Sequence, residues 1–384
     1  MAAPDPIPVG LLHEGSFLDD IDDDDLVYFL VNVGDGDTQL VILPAQEEQV
    51  GDTTQKVRRA IVVDVATERK LPRLLEALAG TSLLTDRPDL LSVVVATHPH
   101  DDHIGGMPEF LELYGDRIAE FWEPGYYHPT GAYIEMMHAL EDSPHIVHTQ
   151  PTSGMTRFMG IAKVTVLAPA MRLRSLYDSY GVEINNSSLA LRIEIPASRV
   201  EQRAANRSYK RITQTQALVL GADAQTFSWS HVLVDFPQLH SDRSSAAKTL
   251  KMAMGSDPLR AQVLKVSHHG SKHGVNLELI EAVKPSLCLI SSVAGAGKYN
   301  FPHSVTQDAI REAIQPVASG KDERKPDHEL GIHYTSAVDS DGSPLGTIAI
   351  VMSATGRKRH LWRFGDEPSG EVNLVNGQRF EATA

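Results

Sequence analysis

The residues best suited to chemistry stand together in the segment 98–106, HPHDDHIGG, directly after the apolar run SVVVAT. Three imidazoles and a carboxylate in the order His-x-His-x-Asp-His cannot all serve a hydrophobic core. Imidazole and carboxylate groups are ligands for zinc, manganese or iron. On a tight loop this spacing can send His98 and His100 to one cation, while Asp102 and His103 reach a second. The segment therefore predicts a centre for one or two divalent metal ions.

Two later apolar runs also end in candidate ligands. The run LVLGAD ends in Asp223, and the run LKVSHHGS contains His268 and His269. Each signal is weak alone, because an aspartate after a strand is commonly a turn residue and a histidine pair is commonly structural. Ligands held by loops at one edge of a rigid sheet form a preorganised site. We expect Asp223 to bridge the cations, and one of the two histidines to reach them, because neighbours in a strand point to opposite faces.

The elements that must position these residues are short, almost continuously apolar runs, which are typical of strands buried on both faces. They are 27–33, 39–43, 60–65, 92–97, 163–167, 188–195, 216–221, 262–267 and 287–292. Leucines at helical spacing predict a helix over 67–79. A second helix is predicted from Ser304 to Ile314, with Ser304 and Gln307 as a capping box. The fold class is therefore α/β, with sheets layered against helices.

Three charged stretches lie outside this pattern. The acidic run 19–25 is either a solvated loop or, on a sharper interpretation, a calcium site. The basic stretch 192–211 is either an exposed hairpin loop or an arm that faces phosphates. Residues 321–329, KDERKPDHE, are predicted to be a flexible connection to a C-terminal strand pair around 346–364.

Composition narrows the classes of protein further. The chain has 384 residues, a net charge of −15 and a single cysteine, Cys288, so an internal disulfide and a cysteine-rich zinc site are excluded. We expect Cys288 to lie in the core. The chain start shows no signal peptide, and no apolar run is long enough to span a membrane, so we expect a soluble, cytoplasmic protein without a membrane partner. The acidic charge opposes nucleic-acid binding by the whole surface, although bound cations would reverse the local field.

These motifs, taken in order, resemble the metallo-β-lactamase fold hydrolases, and most closely the hydrolase domain of ComEC-type DNA-internalisation proteins. The likeness covers roughly residues 26–352 and has a specific order. It consists of the turn Asn32-Val33-Gly34-Asp35-Gly36-Asp37, the strand-end Asp64, the segment His98–His103, the run Asn185-Asn186-Ser187-Ser188-Leu189, Asp223, the segment Lys265–Ser271 and the tail 334–350.

The resemblance implies a four-layer αββα sandwich with metals at one edge. It gives a hydrolase domain over 26–320, preceded by an acidic segment, 1–25, and followed by a connection and packed strands, 321–384. Many members carry a histidine where this chain has Asn185 and Asn186. Because an amide is a poor zinc ligand, the first metal site would be weak or would hold a harder ion such as manganese.

Several residues are candidates for contacts with a substrate. They are Asn185, Asn186, Arg203, Arg207 and Arg211. His303, in the sequence Phe301-Pro302-His303, would either protonate a leaving group or cap the helix that follows it.

The predicted function is that of a metal-dependent hydrolase, with phosphodiesterase or nuclease activity favoured. One or two Zn²⁺ or Mn²⁺ ions would lower the pKa of bound water and hold hydroxide for attack on phosphorus, with Asp102 orienting it. The partner would be single-stranded nucleic acid or a small phosphodiester. Two alternatives stay open: hydrolysis of a small ester, lactone, thioester or cyclic nucleotide, and a non-catalytic module stabilised by metal.

Overall fold

The structure is a computed structural model, and the residues that it describes form most of the chain. They are 4–50, 52–81, 83–84, 87–177, 183–202, 209–212, 214–235, 259–293, 297, 299–316 and 325–381. Within these residues, no helix combines the length and the apolar character that crossing a bilayer requires.

Strands and helices alternate along much of the chain. The strands are β1 Leu12–Glu14, β2 Asp25–Leu30, β3 Thr38–Ile42, β4 Gln46–Val50, β5 Thr53–Val57, β6 Ala60–Val65, β7 Leu91–Val95, β8 Ile118–Trp122, β9 Val147–Thr149, β10 Thr156–Met159, β11 Ala162–Ala168, β12 Ala190–Ile195, β13 Arg199–Gln202, β14 Tyr209–Ile212, β15 Gln216–Leu220, β16 Val263–Lys265, β17 Leu287–Ile290, β18 Ile332–Tyr334, β19 Ile348–Ser353, β20 Arg359–Arg363 and β21 Gln378–Phe380. The helices are α1 Lys70–Ala79, α2 Asp101–Ile104, α3 Met107–Tyr114, α4 Gly131–Glu141, α5 Met171–Arg174, α6 Thr226–Asp235, α7 Leu277–Val283 and α8 Ser304–Ile314.

Two large sheets carry the architecture. The first has ten strands in the order β1-β21-β20-β19-β2-β3-β6-β7-β8-β9, and the second has seven in the order β10-β11-β12-β15-β16-β17-β18. In the first sheet β6, β7 and β8 run parallel, with Val62 paired to Val94. In the second sheet β15, β16 and β17 run parallel, with Leu220 paired to Lys265. The carboxyl ends of each parallel set therefore meet at one edge of its sheet.

The two sheets pack face to face, and helices cover their outer faces. Tyr28 and Val63 of the first sheet share a buried cluster with Leu218 and Ile290 of the second. The outer face of the first sheet packs against α1, α3 and α4 through residues such as Leu74, Phe110 and Met136. Residues of α7 and α8, among them Ile280 and Ile310, join the core around the second sheet. This arrangement confirms the α/β fold class and the four-layer αββα sandwich.

The elements predicted from the sequence are largely confirmed. Each predicted apolar run overlaps a strand, and the two predicted helices are α1 and α8. Cys288 lies fully buried in β17, and burial raises the pKa of its thiol to about 12. The capping box is wrong, because the Ser304 position is already inside α8 and Gln307 Nε2 donates instead to the Tyr334 hydroxyl at 3.2 Å.

The acidic run 19–25 is not a solvated loop as a whole. Asp25 is fully buried at the start of β2, and Lys358 Nζ lies 2.6 Å from the carboxylates of both Asp22 and Asp25. Asp20 accepts hydrogen bonds from the His360 and Trp362 side chains. These partners attach the run to β20 and its preceding turn, and the Lys358 ammonium takes the place that the calcium interpretation gave to a cation.

Two other expectations for charged stretches are also corrected. Arg192 does not belong to an exposed arm, because it lies buried in β12, forms an ion pair with Glu194 and donates to the Arg260 carbonyl. Residues 325–329 are not a flexible connection, because the buried Asp327 pairs with Arg311 at 2.7 Å. The rest of that stretch lies outside the described residues. The expected C-terminal strand pair is confirmed as β19 and β20.

Candidate metal centre

The predicted ligands come from three strand ends that meet between the sheets. The loop after β7 carries His98 and His100 and leads into α2, which holds Asp102 and His103. Asp223 follows β15 by three residues, and His268 and His269 follow β16. Since β15 and β16 are parallel neighbours, their ends present Asp223 and the two histidines side by side.

Asp223 lies at the centre of the cluster, and its two carboxylate oxygens face different imidazoles. Asp223 Oδ1 is 3.2 Å from His103 Nε2 and 3.6 Å from His269 Nε2. Asp223 Oδ2 is 3.4 Å from His268 Nε2 and 3.8 Å from His98 Nε2. Four of the predicted ligands thus surround a fifth, as expected of a carboxylate that bridges two ions.

The two remaining predicted ligands extend this cluster on opposite sides. His100 Nδ1 lies 3.0 Å from His98 Nε2. Asp102 Oδ2 lies 3.8 Å from His269 Nε2. Two triads each bring one ligand atom per residue within 4.8 Å of one another: His98, His103 and Asp223, and Asp102, His103 and His269.

A second layer of side chains orients the imidazoles. Asp64, in a left-handed backbone conformation with φ of +60°, accepts hydrogen bonds from the Thr97 amide, the Thr97 hydroxyl and His103 Nδ1, each at 2.7 Å. His269 Nδ1 donates to the Ser291 carbonyl at 3.2 Å. Because these bonds occupy the Nδ1 atoms, the Nε2 atoms of His103 and His269 are left to face Asp223.

A buried ion pair lies beside this layer. Lys265 Nζ pairs with Asp37, and both side chains are fully buried. The Asp37 amide donates to the Asp102 carbonyl at 3.0 Å. The two backbone segments can come this close because residue 36 is a glycine: a Cβ at Gly36 would lie 2.6 Å from the Asp102 carbonyl oxygen. Asp37 and Lys265 lie 228 positions apart, so their pairing left no signal in the sequence.

Burial and charge separate the protonation states of the cluster. Burial holds the pKa of His98 well below its ordinary value, and it lowers those of His100 and His268 as well. Burial also opposes protonation of His103, but the Asp223 and Asp64 carboxylates outweigh it and raise the pKa of His103 well above its ordinary value. Burial disfavours the Asp223 carboxylate, yet the surrounding imidazoles hold its pKa well below the usual range. Burial therefore favours neutral imidazoles at His98, His100 and His268, whereas two carboxylates favour the protonated ring of His103; a bound cation would replace that proton.

The donor set fits divalent metal ions. Among the described residues, His103 Nε2, His269 Nε2 and Asp223 Oδ1 are buried without a hydrogen-bond partner. Leaving a buried polar atom unpartnered costs about 1–3 kcal/mol. These three atoms point at one another, so a cation between them would satisfy all three together. Imidazole nitrogens with carboxylate oxygens are ligands that Zn²⁺ and Mn²⁺ both accept.

The expectation that only one of His268 and His269 faces the cluster is wrong. The alternation rule holds within a strand, but β16 ends at Lys265. Both histidines follow it in left-handed conformations, with φ of +52° and +51°. These two consecutive left-handed residues turn both side chains toward Asp223. Backbone strain of this kind is concentrated at functional sites.

A cavity of about 710 Å³ opens beside the cluster. Its wall includes Asp102 and Asp223, together with His268 and His269. Among the other residues that line the cavity, Lys272, Tyr299 and Phe301 were not predicted from the sequence to be part of the site. Lys272 closely follows the histidine pair, and Phe301 precedes His303. Their position next to these motifs in the sequence could have indicated that they line the site.

The residues predicted to contact a substrate are placed differently from one another. Asn185 lines the cavity, and its side-chain oxygen is buried without a hydrogen-bond partner in the described structure. Asn186 is only 5% exposed and its amide bonds to Gln225 and to the Ser228 backbone, so it supports the fold instead. Arg211 lies in β14. Arg203 and Arg207 lie outside the described residues.

His303 also lines the cavity. It precedes α8, but its side chain makes no capping bond to that helix. Its Nδ1 accepts a hydrogen bond from the Lys272 amide at 3.0 Å. Burial, with the nearby Lys272 charge, lowers its pKa. The capping interpretation holds for the backbone, because His303 is the N-cap residue of α8 and its carbonyl accepts hydrogen bonds from the Thr306 and Gln307 amides. The ring takes no part in this cap and, when neutral, carries its proton on Nε2.

Comparison with known proteins agrees with this arrangement. A family model described as the metallo-beta-lactamase superfamily matches residues 56–159, which include His98, His100, Asp102 and His103. This part of the chain therefore carries the superfamily's domain signature, and the αββα architecture is consistent with the metallo-β-lactamase fold. No curated protein matches the chain.

Several solved structures are similar to this chain at low identity. The metallo-beta-lactamase fold protein YhfI from Bacillus subtilis is 14% identical, with 81% of this chain and 96% of that chain covered and a TM-score of 0.37. A diphosphatase from the PhnP family is 12% identical, with 82% and 95% covered and a TM-score of 0.31. Human tRNase Z, short form, is 11% identical, with 69% and 92% covered and a TM-score of 0.34.

Proposed function

We propose that the protein is a metal-dependent hydrolase that cleaves phosphodiesters, as a phosphodiesterase or nuclease. The observation that carries this proposal is the ring of imidazoles around Asp223, in which His103 Nε2, His269 Nε2 and Asp223 Oδ1 are buried without a hydrogen-bond partner in the described structure. A purely structural polar cluster would be expected to satisfy its own buried atoms.

The two oxygens of Asp223 divide the ligands into two sets. His98 and His268 lie toward Oδ2 and, with His100 beside His98, would hold one ion. His103 and His269 lie toward Oδ1 and, with Asp102 beside His269, would hold another. In this assignment His268 supplies an imidazole on the side where Asn185 offers none. Mn²⁺ and Zn²⁺ are the proposed ions, and when bound they would acidify water and stabilise negative charge on phosphorus.

Side chains of the chain would complete the reaction. Asp102, 39% exposed at the cavity wall, would orient the attacking water. Lys272 would hold a non-bridging phosphate oxygen by charge. His303 would pass its Nε2 proton to the departing oxygen, because its Nδ1 is already occupied by the Lys272 amide.

The choice of a phosphodiester rests on two supports. The order of motifs resembles the hydrolase domain of ComEC-type proteins, whose substrates are nucleic acids. Lys272 adds a cation to a cavity that otherwise has several carboxylates. In this proposal Arg203, Arg207 and Arg211 would hold a single strand by charge.

A second candidate is hydrolysis of a small ester, lactone, thioester or cyclic nucleotide. Asp35 and Asp101 line the cavity beside Asp102, and the net charge of the chain is −15. These negative charges would repel a long polyanion more strongly than a small substrate.

The test is hydrolysis of bis(p-nitrophenyl) phosphate and of labelled single-stranded DNA, with manganese and with zinc, beside a lactone panel. Asp102→Ala is the matched variant, because it removes a side chain from the cavity wall rather than from the core. We expect phosphodiester cleavage that is lost in Asp102→Ala. Turnover of lactones alone would support the second candidate. Cleavage that persists in Asp102→Ala would contradict the proposed site.

A further inference from the structure

The wall of the cavity beyond the metal cluster is aromatic. Phe301 stacks on His269, with ring centroids 5.8 Å apart and an angle of 29° between the planes. Tyr299 stacks in turn on Phe301, at 5.6 Å and 26°. The three rings form one continuous offset stack that begins at a predicted metal ligand. We call the rings of Phe301 and Tyr299 the aromatic shelf.

The two rings of the aromatic shelf differ in exposure. Phe301 is 6% exposed, which is ordinary for a ring that closes the core. Tyr299 is 54% exposed, although it lines the same cavity as Lys272 and Asp223. A core-packing role accounts for Phe301 but leaves the exposed tyrosine unexplained. An exposed ring that continues a stack beside a reaction centre offers a flat surface for another π system.

We propose that the aromatic shelf is a stacking subsite for the nucleobase of a nucleoside phosphodiester. This inference rests on the proposed function, because it names the group attached to the phosphate that the site would cleave. In a nucleotide a ribose separates the phosphate from the base. A nucleotide whose phosphate lies beside Asp223 and Lys272 can therefore place its base over the ring of Tyr299. In the stack, the ring of Phe301 lies between Tyr299 and His269.

The shelf also restricts the form of the nucleic acid. Bases inside a duplex have both faces covered by their neighbours, so a base that stacks on Tyr299 comes from a single strand, an end or a mononucleotide. Stacking of this kind tolerates every base, because each base has a π face. The site would therefore prefer nucleoside diesters to diesters without a base, and it would not discriminate between base sequences.

The test compares two ligands that share a phosphate and differ in the base. Binding of adenosine 5′-monophosphate and of methyl phosphate to the manganese-loaded full chain is measured by calorimetry. We expect the nucleotide to bind about tenfold more tightly, as one stacked base allows. Tyr299→Leu, which keeps an apolar side chain but removes the flat ring, should abolish this difference. Tyr299→Phe should preserve it, and the affinity for methyl phosphate should not change in either variant.

The contrary results are distinct. Equal affinities of the wild-type chain for the two ligands would overturn the subsite, as would equal weakening of both ligands by Tyr299→Leu. If phosphodiesters are cleaved while the two affinities are equal, only the subsite fails. If neither ligand binds and no phosphodiester is cleaved, the proposed function fails with it. The unfolding midpoint of each variant shows that the fold is retained, and the exposure of Tyr299 predicts little change.

Discussion

Among the buried clusters of charge in the described residues, those around Asp366 and Asp223 differ in how their polar atoms are partnered. Around Asp366, Lys70 Nζ lies 2.6 Å from the carboxylate and 2.6 Å from each of the Asn32 and Glu367 carbonyls. The amide and hydroxyl of Thr347 donate to the two Asp366 oxygens. Around Asp223, by contrast, His103 Nε2, His269 Nε2 and Asp223 Oδ1 have no hydrogen-bond partner in the described part of the chain.

In the proposed function, the Asp223 cluster holds metal ions, whereas the Asp366 cluster has a structural role. Both clusters are buried and both centre on an aspartate, so burial and charge alone do not distinguish them. The Asp366 cluster contains its own cation, the Lys70 ammonium. In the proposed function, the Asp223 cluster takes its cations from solution. Four predictions test this contrast.

The largest effect is expected from removing the centre of the Asp223 cluster. Asp223→Ala takes one ligand from both proposed ions and should lower hydrolysis of bis(p-nitrophenyl) phosphate by at least about 10³-fold, because the charge stabilisation lost is several kcal/mol. Initial rates at saturating manganese measure this. A loss below tenfold would show that Asp223 is not the shared ligand.

The next prediction separates the two proposed ions of the Asp223 cluster by removing a ligand of only one of them. His268→Ala should reduce bound metal from two ions toward one per chain, since His268 lies toward Asp223 Oδ2 while His269 lies toward Oδ1. Elemental analysis after loading with manganese measures the ratio. His273→Ala, in the same cavity but not among the imidazoles near Asp223, is the matched control. Two ions in both variants would remove His268 from the ligand set.

The Asp366 cluster should respond in stability and not in metal content. Lys70→Met leaves the Asp366 carboxylate buried without its cation and should lower the free energy of unfolding by about 3–5 kcal/mol. Arg73→Met, on the same helix, breaks an exposed pair with Glu371 and should cost about 0–1 kcal/mol. Chemical denaturation measures both, and metal content should match wild type. If Lys70→Met bound less metal than the wild-type chain, the proposed distinction between a structural and a metal-binding cluster would be wrong.

The smallest effect is expected in the layer behind the ligands. Asp64→Asn keeps the size of the side chain but removes the charge that orients His103. Loss of such a supporting contact weakens metal binding by about 10- to 100-fold. Competition with a calibrated chelator measures the affinity. An unchanged affinity would mean that the Thr97 and Asp223 contacts alone position His103.

The sequence predicted the strands, two helices and the residues that meet at Asp223, because those signals are local: apolar runs, and polar residues where the runs end. It did not predict the Lys265–Asp37 and Lys70–Asp366 pairs, because each joins distant parts of the chain. It also misjudged His268 and His269, because a left-handed turn after β16 replaces strand alternation. The predicted loop over 19–25 failed for a related reason, since the partner of Asp22 and Asp25 is Lys358.

The central claim is that the Asp223 cluster is a site for two cations, and the most direct test is the metal content of the purified full chain. Elemental analysis after loading with manganese or with zinc, followed by removal of free metal, gives the number of ions per chain. The account predicts close to two ions, with a thermal unfolding midpoint that falls when a chelator removes them. A chain that binds neither metal under either loading, with an unchanged midpoint, would contradict it.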